Sequence, residues 1–226
     1  MRNLTLYSCL FLFALPVVAA PGVDALSNKD MVGGLKEALI KSAEITVKKL
    51  GATDGYLGNP QIKIPLPESL QKVEGMMKKF GMGKQAEELV VSMNRAAEAA
   101  APEAKAMLID AAKKMSVQDA KGILTGGDNA ATQYFRGATQ VQLTQKFLPI
   151  VKKATQKVRL AAKYNDFAGK GAKFGLVDAK DANLENYVTQ KALDGLYLMM
   201  AQEERAIRQD PVGQASKLLQ KVFGAL

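Results

Sequence analysis

Apolar side chains recur every three or four positions through most of this chain, and each run predicts a helix. Over residues 31–50, Leu35, Leu39, Ala43 and Val47 share one stripe, with Lys36, Lys41, Lys48 and Lys49 away from it. Gly51 ends that run, and GATDGYLGNP (51–60) is rich in turn residues. QIKIPLP (61–67) is extended, because Pro65 and Pro67 exclude helix there and push their neighbours toward β or polyproline geometry. Pro67 suits the first turn of a helix reaching about Phe80.

After a break at GMG (81–83), residues 84–100 are strongly helical by propensity. Pro102 either kinks that helix or starts another, which runs to Met115. Ser116 and Asp119 form a capping-box pattern opening a short helix to Leu124. Residues 129–147 and 149–167 read as two helices jointed at Pro149, followed by the connector GKGAKFG (169–175). A long helix over 183–209 stops at Asp210-Pro211, and 212–222 form a last short helix. Only 61–67 argues for β structure. The fold class is therefore all-α, a single-domain bundle of about seven or eight helices with one short extended Pro-containing segment. A Thr-Gln pair recurs at 132, 139, 144, 155 and 189 at irregular intervals, as polar positions on helix surfaces would.

The N-terminus departs from this periodicity. Arg2, an apolar stretch from Leu4 to Leu15, Pro16 and the small residues of VVAAPG make a secretory signal, with cleavage expected after Ala19 and Ala25 as the fallback. The apolar run is shorter than the roughly 18 to 20 residues that a membrane span wants. Residues 1–19 are thus read as a signal peptide, 20–226 as one soluble domain, and the location as periplasmic.

Export changes the chemistry available. The signal carries the only Cys and one of the 31 basic residues, leaving 30 against 22 acids and a net charge of +8. The mature chain has no Cys, His or Trp. Ser-His-Asp and Cys-His nucleophiles, zinc sites of the usual kind and iron–sulfur clusters are excluded on composition, and no metal or cofactor is expected. Ser69-Leu70-Gln71-Lys72 matches S-x-x-K, but the K-T-G that accompanies that nucleophile in penicillin-binding proteins is missing.

TGGDNAATQYFRG (125–137) resembles a phosphate loop, since Gly122 and Gly127 frame G-x-x-x-x-G. The next positions should be Lys and Ser or Thr; here they are Asp128 and Asn129, and a carboxylate there repels phosphate. Helix capping is the simpler account: Gly126 in the left-handed conformation closes one helix and Asp128 caps the next. Asp178, Asp181, Asn183 and Glu185 lack the spacing of a calcium loop. The strongest charge signal is 146–173, with eight basic residues and one acid, Asp166. There Phe147, Ile150, Val151, Ala154, Val158 and Ala161 share a helix face, and Lys152, Lys153, Lys157, Arg159 and Lys163 take the other. Such a face is solvated or attracts an anionic partner.

DGYLGNPQIKIPLPESL, ELVVSMNRAAEAAAPEAK, ILTGGDNAATQYFR, QKFLPIVKKAT and FGLVDAKDANLENYVTQKALDGLYLMM, taken in order, resemble a secreted bacterial family catalogued as domain of unknown function 4197. The resemblance implies a mostly helical Gram-negative envelope protein and carries no reaction or catalytic residue. The leading expectation is a non-enzymatic binding protein whose partner is an anionic envelope component or an envelope protein, and not nucleic acid. The alternative is a His-independent enzyme built on Asp128, Tyr134 and Arg136, joined by Tyr56 and Asn59; with Asn129 these make six candidate binding residues. That alternative requires the six side chains to converge in one pocket.

Overall fold

The computed structural model describes residues 27–71, 79, 81, 83–159, 161–165 and 183–210. These residues contain no strand. Six α-helices are bounded among them: α1 (Asn28–Leu50), α2 (Gly83–Ala100), α3 (Ala104–Lys114), α4 (Val117–Thr125), α5 (Ala130–Thr155) and α6 (Leu184–Gln209). Residues 68–71, 159 and 161–165 are also helical. The fold is all-α, as the periodicity predicts. The signal segment, most of the predicted helix to Phe80, the 169–175 connector and the 212–222 helix lie outside the described residues.

α1 buries its stripe, Leu35, Leu39, Ala43 and Val47, with Met31, Ala38 and Leu50. Pro102 neither kinks one long helix nor directly opens the next. It sits in a 3-10 turn (Ala101–Glu103) that joins α2 to α3. Ala96, Ala97, Ala100, Ala101 and Ala104 are all fully buried around that turn, and such small side chains let backbones pack closely. The Ser116–Asp119 capping box opening α4 is present in both directions.

α5 is one helix across Pro149, which corrects the expected joint. Its buried positions are Ala131, Thr132, Phe135, Thr139, Leu143, Phe147, Val151 and Thr155, so the buried stripe continues through the proline. Pro149 faces solvent, as does Gln145, whose carbonyl loses its usual donor. Packing on both sides of Pro149 outweighs the local penalty. The helix stops instead at Thr155, followed by a turn in which Val158 N–H donates to the Thr155 carbonyl at 2.9 Å.

α5 packs most extensively on α6, and α2 covers α5 next. The α5–α6 seam is antiparallel and partly polar. Thr132 meets Glu204, Thr139 meets the Tyr197 hydroxyl at 3.0 Å, and Thr155 donates to Glu185 at 3.2 Å. The Thr-Gln pairs are therefore not simply surface polarity: the threonines at 132, 139, 155 and 189 are buried. A buried Thr in a helix can satisfy its hydroxyl on the carbonyl four residues back, as Thr139 does to Phe135 at 2.7 Å.

Across α2 lies the extended segment. Ile62, Ile64 and Leu66 are buried while Gln61, Lys63 and Pro65 are exposed, the period-two alternation of a strand. Its partner is a side chain, Asn94, in place of a second strand. The preceding turn is fixed by Glu98, whose Oε1 accepts the N–H groups of Tyr56 and Leu57, both at 3.1 Å. Arg95 bridges Glu98 at 2.6 Å and Asp54 at 2.8 Å. Asp54 has a φ of 67°, a left-handed conformation that Asp tolerates better than most residues.

Candidate functional site

The 125–137 joint is clamped from outside its own sequence. Gly126 is extended (φ −81°, ψ 176°), not left-handed, and Asn129, not Asp128, occupies the N-cap position of α5, with no capping bond from its side chain. The capping atoms come from Glu204. Its carboxylate accepts the N–H groups of Ala131 and Thr132 and the Thr132 hydroxyl, each at 2.9 Å. Arg208 donates to Glu204 at 2.9 Å and to the Ile123 carbonyl, near the end of α4, at 2.8 Å. One acid thus meets the positive end of α5, and one base meets the negative end of α4. Gly126 is required by closeness: a Cβ there would stand 2.7 Å from the Cβ of Ala130 and the Gly122 carbonyl.

The six residues proposed for a pocket at this joint are distributed among separate contacts. Asp128 is exposed, 4.0 Å from Arg205, and Asn129 is exposed beside it. The Tyr134 hydroxyl turns to α3 and donates to the Ala111 carbonyl at 2.9 Å. The Arg136 guanidinium lies 4.6 Å over the Tyr197 ring and 3.4 Å from Asp194. Tyr56 is fully buried, donating to the Ala192 carbonyl at 2.7 Å. Asn59 accepts from the Gln61 N–H at 3.1 Å, with its amide 3.6 Å from the Met199 sulfur. Tyr56, Asn59 and Arg136 reach the middle of α6, between 192 and 199, whereas Asp128 lies by Arg205 near its C-terminal end.

Burial, with the Glu98 charge adding to it, pushes the Tyr56 hydroxyl far above its ordinary range. Burial raises Tyr134 too, helped by Asp119. It also raises Tyr197, against the opposing effects of Thr139 and Arg136. At neutral pH these phenols are hydrogen-bond donors rather than bases. The convergence that the enzymatic alternative requires is not formed by these side chains.

The basic face is built differently. Lys152 and Lys153 occupy the last turn of α5, Lys157 the turn after it, and Arg159 and Lys163 helical positions beyond that turn; all five are exposed, as is Lys146. No carboxylate among the described residues lies within ion-pair distance of any of the six. Some cations elsewhere are paired, Lys49 with Glu203, Lys105 with Glu44, Lys114 with Asp110 and Arg208 with Glu204, but none of the six on this face is among them. Beneath the face Phe147, Val151, Ala161 and Tyr164 are buried. Asn165 ties it to α6, donating to Glu185 at 2.9 Å and accepting from the Leu184 N–H at 2.8 Å. Lys170 and Lys173 lie outside the described residues.

A family model described as "Protein of unknown function (DUF4197)" matches residues 25–224, which include both the clamped joint and the basic face. The chain belongs to this family. No curated protein and no solved structure matches it. Among the described residues of this family member, no helix is long and apolar enough to cross a membrane.

Of the buried polar residues Asn94, Glu98, Glu185 and Glu204, the sequence alone brings up only Glu185, as a rejected cation ligand. A signal for two of them was present. Asn94 adjoins the apolar positions Leu89, Met93, Ala96 and Ala97, and Glu204 continues the Leu193–Tyr197–Met200 stripe with Arg208 one turn on. A polar residue that interrupts an apolar stripe at its own period marks a buried bond.

Proposed function

We propose that this family member is an exported envelope protein with no reaction of its own, which binds an anionic envelope component through Lys146, Lys152, Lys153, Lys157, Arg159 and Lys163. The observation that carries this reading is a set of exposed cations with no carboxylate in ion-pair distance among the described residues, on an anchored scaffold. Each Lys or Arg held near an anionic surface contributes about 1 kcal/mol, and salt screens it. The basic residue and apolar stretch at the N-terminus, followed by small residues, support export.

The test is co-sedimentation of the chain beginning at residue 20 with phosphatidylglycerol vesicles, against phosphatidylcholine vesicles, at low and high salt. Retention on the anionic vesicles alone, lost in salt and weakened about 100-fold by K152E/K153E/K157E, is the expected result. Equal retention on both lipids, or no effect of charge reversal, overturns the reading. Export is checked separately by sequencing the N-terminus of protein recovered from the periplasm, where the new terminus should be Ala20.

A further inference from the structure

A second cationic feature lies on other elements of the fold. Lys41, Glu44, Ile45 and Lys48 stand at i, i+3, i+4 and i+7 of α1 and so share one face. Opposite them are Pro102 of the 3-10 turn and Lys105 of α3, and Gly51 and Ala52 close one end. Together they line an open cleft of about 580 Å³, inside the range of small-molecule sites. Its floor is apolar, from Ile45, Val47 and Pro102. Its rim is not neutral: Glu44 takes Lys105 at 3.1 Å, while Lys41 and Lys48 have no carboxylate within ion-pair distance among the described residues. Their backbones are two turns apart, about 10.5 Å along the axis. At the closed end Gly51 lies tight against the 3-10 turn, since a Cβ there would stand 3.1 Å from the Pro102 ring. A second cleft, between 61–65 and α6, is smaller, about 200 Å³, and its Asp194 is already engaged by Arg136 and Gln190.

We propose that the α1–α3 cleft binds a small amphipathic anion, with the apolar body on Ile45, Val47 and Pro102 and the anionic group at Lys41 or Lys48. Charge complementarity selects this occupant. A neutral body of the same shape leaves both lysines unanswered, and a cation is repelled by the excess positive charge. The site does not depend on the basic face at 146–163.

The probe is decanoate below its micelle concentration, titrated into the chain by calorimetry, with decyl maltoside and decyltrimethylammonium as neutral and cationic controls. Saturable binding of one decanoate, absent for both controls, is expected. K41E/K48E should weaken it at least about tenfold. Ala52→Phe, which fills the mouth without touching a charge, should abolish it, and circular dichroism shows whether each variant is folded. K152E/K153E/K157E should leave decanoate binding unchanged, so that failure here and failure of the vesicle test are separate outcomes. Equal binding of the neutral control, no binding of decanoate, or full binding by folded Ala52→Phe overturns the proposal.

Discussion

The carboxamide of Asn94 holds the main chain of Ile64 in both directions. Its Oδ1 accepts the Ile64 N–H at 2.8 Å, and its Nδ2 donates to the Ile64 carbonyl at 2.9 Å. A second Nδ2 bond, to the Val90 carbonyl at 2.8 Å, fixes the amide on its own helix. One fully buried side chain thus supplies what a neighbouring strand would supply, and an extended segment can run through an all-helical core with both Ile64 groups satisfied.

Removing that amide strands two main-chain groups away from water. Asn94→Ala should cost about 2 to 4 kcal/mol in denaturant unfolding, given about 1 to 3 per unsatisfied buried group. Asn94→Asp keeps the acceptor for the Ile64 N–H but sets a carboxylate against two carbonyls, and should cost at least as much. An Asn94→Ala protein as stable as the parent would refute this account of the segment.

Glu204 and Arg208 should behave as a unit. Glu204→Ala takes the Glu204 carboxylate from the half-buried Arg208 and leaves the first turn of α5 without its cap, at a cost of about 2 to 4 kcal/mol. Arg208→Ala exposes the complementary defect. The double variant should be less destabilised than the sum of the two, with a coupling of about 1 kcal/mol or more in a double-mutant cycle. Additive effects would mean that the two side chains stabilise the joint separately.

The Ser116–Asp119 box predicts a pH dependence. The Ser116 N–H and hydroxyl bonds hold the Asp119 carboxyl below its ordinary range. A depressed folded-state pKa means that stability is fully present above the unfolded value, about 3.9, and is lost as the pH falls through the folded value. The difference in Tm between the parent and Asp119→Ala should therefore be largest near neutrality and shrink below about pH 4. A constant difference down to pH 2.5 would rule out ionisation of Asp119 as the source.

Pro149→Ala should stabilise the protein. The substitution restores an N–H donor for the Gln145 carbonyl at an exposed position and removes a ring that the helix accommodates at a cost. With the added entropy of the unfolded chain subtracted, the gain should be about 1 to 2 kcal/mol. Destabilisation in a thermal melt would show that the proline shapes α5 in a way its neighbours depend on.

Periodicity was enough to determine the helical class, the stripe of α1 and the start of α4, because those depend on side chains three or four residues apart. It was enough, too, to put Lys152, Lys153, Lys157, Arg159 and Lys163 on one exposed face, since the apolar positions among them had to turn inward. Composition removed His- and Cys-based chemistry from residues 20–226 by the absence of the side chains. What only the tertiary structure decided are the long-range substitutions: Glu204 capping a helix that begins 74 positions earlier in the chain, Asn94 standing in for a strand, and packing carrying α5 through Pro149. Local rules gave the cap to Asp128 and a joint to Pro149, and gave the extended segment no partner. A backbone donor or acceptor is satisfied by whichever partner the fold brings within 3 Å, and sequence separation does not enter that condition.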